Sequence, residues 1–253
     1  MDITGYLERI QYDGELEPTA ELLSSLHYLN LLRVPFENLD IHLGRPIQLD
    51  EQHLFDKIVN QRRGGFCYEL NGLFAWMLRG LGFQVDLLSA EVFDDGVYSP
   101  EYDHLVVRVR LEEDWLVDVG FGDSFVRPLN LFDDGEQIQR DTGYRIEQSS
   151  NYRVLLQQDR DGNWEPSYRF TLQPRKLSDY KGRCRYHQTS PESHFTHKRL
   201  CTRLTPAGRI TLRDKRLIVT ENMQKSETPI MDEREYLEAL DEHFGIQLPA
   251  FQD

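Results

Sequence analysis

Three residues able to do acyl chemistry together stand along the chain in the order Cys67, His104, Asp118. Cys67 follows Gly64-Gly65-Phe66 and opens a stretch whose apolar positions, Leu70, Phe74, Met77 and Leu78, form one helical stripe. A thiol at a helix start meets the positive end of the macrodipole and unpaired backbone N–H groups. Both favour the thiolate, which is the reactive form. Arg62 and Arg63 just upstream would add positive potential, and the two glycines would let the backbone come close to a substrate. Taken alone, the same position also suits a small, inert core cysteine.

His104 and Asp118 supply what the thiol lacks. His104 opens the alternating run HLVVRVRL, and Asp118 lies in the next run, DWLVDVGF, after the short turn LEED. A three-residue loop at 111–113 would set 110 opposite 114, and hence 106 opposite 118 and 104 opposite 120. His104 and Asp118 then become diagonal neighbours on one sheet face, within side-chain reach. Asp118, flanked by Val117 and Val119, is poorly solvated and needs a partner. A carboxylate that orients an imidazole, whose other nitrogen faces a thiol, is the logic of a nucleophile–base–orienter triad. The order Cys, His, Asp also fits thiol proteases and transglutaminase-like enzymes, so order alone does not select the reaction. A binding protein with a buried, unreactive Cys67 is the non-enzymatic alternative.

The elements that must carry these residues change character near residue 83. Before it, the patterns are helical. PTAELLSSLHYLNLLRV has Pro18 near its start, a Leu22, Leu23, Leu26, Leu29 stripe, and Pro35 at its end. A second helix is expected from an Asp50 cap through HLFDKIVNQ, and a third from about Cys67 to Arg79, closed by Gly80 and Gly82. From Phe83 the period becomes two. FQVDLLSAEVF, HLVVRVRL, DWLVDVGF, YRVLLQQ, YRFTLQP, KRLCTRLT and GRITLRDKRLIVT read as strands. EREYLEALDEHFGIQL is a final amphipathic helix. Helices, then antiparallel strands, then a helix make an α+β protein.

Composition narrows the partners. A net charge of −14 over 253 residues argues against nucleic acid. No apolar run approaches a membrane span, and the first residues do not resemble a signal peptide, so the expected location is cytoplasmic. Three cysteines without a CxxC, and a lone His194-x-x-His197 pair, give no expectation of a metal site. The charge is uneven: residues 169–216 hold thirteen Lys and Arg against three carboxylates. Such a zone suits a small polyanion, or else is a solvated basic surface.

RRGGFCYELNGLFAWMLRGLGF (62–83) closely resembles the active-site segment of the arylamine N-acetyltransferases. VPFENLDIHLGRPI (34–47) resembles their Pro-Phe-Glu-Asn motif. Asp103-His104-Leu105 and VDVGFG (117–122) match their histidine and aspartate segments, and YHQTSPESHF (186–195) resembles the passage into their last domain. Five motifs in order cover nearly the whole chain. The resemblance implies a helical bundle over 1–82, a central antiparallel β-barrel over 83–190 and a C-terminal α/β lid over 191–253. It implies acetyl-CoA as donor and an arylamine or arylhydrazine as acceptor, with Cys67 acetylated, His104 as base and Asp118 as its orienter, and no metal. It further implies that Phe36, Phe121 and Phe195 line the acceptor site and that Gly120 and Gly122 lie by the thioester. Glu37 and Asn38 are expected to brace the backbone. The chain departs from the family where His27 is followed by Asn30, not by a second histidine, and where Asp103 replaces threonine. Neither position is expected to touch the triad, although Asp103 would set an extra carboxylate beside it.

Overall fold

The computed structural model describes residues 1–222 and 224–251. Local signals set the helix starts. Asp2 caps α1 (Ile3–Ile10), and Thr19 caps α2 (Ala20–Arg33) by accepting from the Leu22 N–H. Pro35 disfavours helix at Val34, where α2 stops. There follow β1 (Phe36–Glu37), the single turn α3 (Leu39–His42), and α4 (Glu51–Phe55), capped by Asp50 as expected. α4 runs on as a π turn over Asp56–Asn60. α5 (Cys67–Gly80) begins at the predicted cysteine.

The strands β2 (Gln84–Asp94), β3 (Val97–Tyr98), β4 (His104–Arg110), β5 (Asp114–Val117), β6 (Leu129–Asn130), β7 (Gln137–Gln139), β8 (Thr142–Ser149), β9 (Tyr152–Gln158) and β10 (Trp164–Phe170) form one antiparallel sheet. Its order is β6-β5-β4-β2-β10-β9-β8-β7, with β3 beside β2. The alternating pattern splits these strands between two cores. Leu87, Leu105, Val107 and Val109 face α5, while Leu88, Ala90, Val106 and Leu116 face inward with Leu155, Tyr168 and Phe170. The end strands are joined through side chains. Gln137 accepts from the Asn130 N–H and donates to the Asn130 carbonyl. Gln139 accepts from the N–H groups of Val126 and Arg127 and donates to the Arg127 carbonyl. The sheet is therefore a nearly closed barrel whose last seam is made by two side-chain amides.

Beyond the barrel come α6 (Lys181–Thr189), β11 (Leu200–Thr205), β12 (Gly208–Arg213), β13 (Arg216–Glu221), β14 (Gln224–Pro229) and α7 (Glu233–Phe244). The second sheet is ordered β1-β11-β12-β13-β14, so it recruits Phe36 and Glu37 from the N-terminal part through the pairs Phe36↔Thr202 and Glu37↔Cys201. Tyr236, Leu240 and Phe244 of α7 cover it against Cys201, Ile210 and Leu212. Among the described residues, no helix is long and apolar enough to cross a membrane.

Several elements differ from expectation. The strand read as DWLVDVGF stops at Val117, because the Asp118 side chain bonds the Gly120 N–H and turns the backbone away. The piece read from Tyr168 starts at Trp164 instead, with a bulge between Pro166 and Tyr168. GRITLRDKRLIVT is two strands, reversed at Asp214, whose φ is +43°.

The barrel seam makes a direct prediction. Gln139→Ala removes three hydrogen bonds, two of them exposed, without touching either core, so the stability to urea should fall by about 1–2 kcal/mol with an unchanged m-value. An unaltered midpoint would mean that the seam contributes nothing.

Candidate active site

The hairpin β4–β5 pairs Arg110 with Asp114 and Val107 with Val117, which is the register a three-residue loop demands. It places His104 Nε2 2.7 Å from Asp118 Oδ2, with both side chains buried. Nε2–H donates to the carboxylate, and Nδ1 is then the nitrogen left to take a proton. The other Asp118 oxygen accepts from Asn71 Nδ2 (2.8 Å) and from the Gly120 N–H (2.9 Å). Burial alone would raise this carboxyl; His104, Asn71 and Gly120 together hold it below the usual carboxylate range. Asn71 also accepts from the Val119 N–H and donates to the Leu105 carbonyl, so one amide fixes the carboxylate and both chain segments. Asn71 lies one turn after Cys67, on the same helix face, and that spacing was its sequence signal.

Cys67 is the first residue of α5 and is buried. Its position follows from the two glycines. A Cβ on Gly64 would meet the Pro35 carbonyl at 2.0 Å, and one on Gly65 would meet Glu69 Oε2 at 2.7 Å. The glycines thus serve close packing within the chain, where substrate approach was expected, and the Gly65 carbonyl accepts from the Glu37 N–H. Glu69 closes the helix start by accepting from the Phe66 N–H. Burial pushes the Cys67 thiol well up, against the helix-start effect. A bond from the Leu105 amide draws it down, whereas the Asp118 and Asp103 charges add to the rise. An isolated thiolate is therefore disfavoured here, and the charge becomes accessible only if the proton stays inside the site.

Gly120 abuts the cysteine: a Cβ there would stand 2.8 Å from the Cys67 Cα. Gly122 has φ +95° and faces Phe36 and Thr202. Phe121 lies 5.1 Å from the His104 ring and 5.2 Å from Tyr168. Phe195 packs on Phe36 (6.1 Å) and Phe66 (5.8 Å). The structure thus sets Gly120 against Cys67, Phe121 against His104, and Asp118 within reach of Asn71 on the cysteine's helix, with Phe36 and Phe195 forming a second aromatic group.

The braces include residues of unexpected importance. His27 is not remote from the triad: its buried ring sets Nε2 against the Asp118 backbone, 3.1 Å from the carbonyl and 3.4 Å from the N–H, sets Nδ1 3.1 Å from the Val126 carbonyl, and stacks on Phe125. Arg63 does not face the thiol. It pairs with Glu37 and Asp40 in a buried cluster that Lys57 and Glu69 complete. Three carboxylates meet two cations there, and burial pushes Glu69 up to about 7 against the pull of Lys57. Asn38 binds the carbonyls of Phe195 and Lys198 and the Leu200 N–H, a bracing role like that of Glu37. Asp103 does not crowd the histidine; Arg183 and His187 hold its carboxylate. Within the basic stretch, Arg169, Arg175, Arg183, Arg199, Arg209 and Arg216 each pair with a carboxylate. Among the described residues, no group of three or more His, Cys, Asp or Glu side chains is arranged to hold a metal ion.

Known proteins match nearly the whole chain. A family model described as N-acetyltransferase matches residues 19–252. The pineal gland isozyme NAT-3 arylamine N-acetyltransferase of Gallus gallus is 34% identical, over 98% of this chain and 95% of its own. The arylamine N-acetyltransferase structure from M. tuberculosis superposes with a TM-score of 0.90 at 34% identity, covering 97% of this chain and 94% of its own. The Mycobacterium marinum enzyme in complex with CoA gives 0.89 at 31% identity, over 97% and 93%.

His27 carries a pH signature. Burial pushes its imidazole down to about 4, although bonds to the Val126 and Asp118 backbone and the Asp118 charge resist this. Between pH 6.5 and 4 the unfolded chain takes up a proton that the folded chain refuses, so folding stability falls as the pH is lowered through that window. The stability advantage over His27→Gln, measured by urea unfolding, should shrink by about 2–3 kcal/mol from pH 7 to pH 4. A constant difference would mean that the ring protonates equally in both states.

Proposed function

Because this chain belongs to the arylamine N-acetyltransferase family, we propose that it carries an acetyl group from acetyl-CoA to an arylamine or arylhydrazine by way of an acetyl-cysteine on Cys67. The single observation that carries the mechanism is the buried His104–Asp118 pair, 2.7 Å apart, bonded by Asn71 to the helix that begins with Cys67.

In the first step the Cys67 proton passes to His104 Nδ1, and the sulfur attacks the thioester carbonyl. Because the proton moves only from thiol to imidazole, the site keeps its net charge while Asp118 stabilises the imidazolium. This answers the burial that disfavours a lone thiolate. The C–S bond to CoA breaks, and CoA leaves as its thiol with the proton from His104. In the second step the acceptor nitrogen attacks the acetyl-cysteine, its proton passes to His104, and Cys67 leaves to regenerate the free enzyme. Backbone N–H groups at the helix start are suited to the oxyanion. Phe36, Phe121 and Phe195 are assigned to the acceptor, whose aromatic ring suits an aromatic wall. Gly120 and Gly122 are assigned to the thioester arm; a side chain on Gly120 would press on Cys67, and one on Gly122 would be held in a left-handed backbone beside Phe36. The phosphates of the donor are assigned to the basic stretch, where Lys176, Lys181, Arg185, Lys198, Arg213 and Lys215 have no carboxylate partner among the described residues.

Mixing the protein with acetyl-CoA and no acceptor should add one acetyl group, about 42 Da, to the intact mass; Cys67→Ala should gain nothing, and an arylamine should discharge the adduct. Asp118→Asn should lower the single-turnover acetylation rate by roughly 10²–10⁴ with the fold intact. Steady-state rates with both substrates varied should give parallel double-reciprocal lines; intersecting lines would indicate a ternary complex and sink the two-step scheme.

A further inference from the structure

Asp103 lies beside the proposed base, yet its side chain points into a different network. Its Oδ1 takes bonds from Arg183 Nε (2.5 Å) and His187 Nε2 (3.0 Å). Burial would raise this carboxyl, but those two partners bring it down to about 2, so it is ionised and the histidine must donate. His187 Nδ1 is then an acceptor, and the Ser193 hydroxyl lies 3.0 Å from it. Ser193 Oγ in turn accepts from the Phe195 N–H at 3.4 Å. Every donor and acceptor in this line has one consistent direction: Phe195 N–H to Ser193, Ser193 O–H to His187, His187 N–H to Asp103. The line runs from the residue before His104 to the backbone of an aromatic residue assigned above to the acceptor wall. The His187 ring also packs on Phe195 (5.2 Å) and on Tyr68 (6.2 Å), the neighbour of Cys67. The Tyr68 hydroxyl bonds the carbonyls of Tyr102 and Asp103.

An Asp–His–Ser order suggests a hydrolytic triad, but Ser193 is 2% exposed and its oxygen is occupied by the Phe195 amide. It is a brace, not a nucleophile. We propose that Asp103, His187 and Ser193 are positioning residues that fix Phe195, and so set which aryl groups the acetylated enzyme accepts. This inference rests on the acyltransferase reading above.

The test separates the two half-reactions in Asp103→Asn, His187→Gln and Ser193→Ala. In His187→Gln and Ser193→Ala, acetylation of Cys67 by acetyl-CoA, followed by intact mass in a single turnover, should stay within about twofold of the parent protein, while in all three variants the KM for acceptors rises roughly three- to tenfold, the size of one neutral hydrogen bond. The ratio of KM for a two-ring aminonaphthalene to that for a one-ring aniline should change as well. Asp103→Asn with His187→Gln should be no worse than either alone, because the residues act as one unit. Ser193→Ala removes a single hydroxyl and alters no charge, so it decides the matter if the other variants fail to fold. Acetylation at the parental rate with unchanged acceptor KM and selectivity overturns the proposal, and so does an equal loss in both half-reactions. No acetylation of the parent protein overturns the acyltransferase reading, and this inference with it.

Discussion

A carboxylate taken out of water must be given back its hydrogen bonds, or it will not stay charged. Asp118 is the residue on which this requirement falls hardest, and its partners come from separate parts of the chain. β4 brings His104, α5 brings Asn71, α2 brings His27 to the backbone, and the turn after β5 brings the Gly120 amide. The strand could not have continued past Val117 without surrendering that last bond. The abrupt end of β5, the packing of α5 on the barrel and the burial of His27 are thus facets of one requirement. It also fixes which imidazole nitrogen is free, and so the direction in which a proton can travel.

A second buried charge cluster does for the cysteine what the first does for the histidine. Glu37 and Asp40, Arg63 and Lys57, and Glu69 bind three separate segments together immediately beneath the start of α5. Removing Lys57 or Arg63 would leave three carboxylates facing one cation in a dry environment, which is far costlier than the net worth of the intact cluster. Glu69 belongs to both the cluster and the helix cap, so the position of Cys67 depends on charge balance one turn away.

The features legible in the sequence were those with a local physical cause. Asp50 announced its helix by capping chemistry, and the three-residue loop at 111–113 set the hairpin register that brings His104 to Asp118. The features that were not legible depend on partners far away in the chain. His27 shows no sign of its role until α2 is packed against the turn holding Asp118. Gln137 and Gln139 are ordinary polar residues until the two barrel edges meet. α6, with Lys181, Arg183 and Arg185 and little apolar surface, has no helical stripe to read; it is held through Cys184, His187 and Gln188. Gly64 and Gly65 were visible, but their purpose was not: what comes close to them is the chain's own Pro35 and Glu69.

The second sheet ends on β14, Gln224 to Pro229, every residue of which is exposed. An open strand edge is normally an invitation to other chains, since its free N–H and C=O groups can template a new strand. Here the edge carries Lys225 and Glu227 and finishes at a proline that has no N–H to offer. Newly made or crowded copies of the protein therefore meet a margin that is hydrated, charged and interrupted, and a sheet that could have grown by accretion stops at its fifth strand.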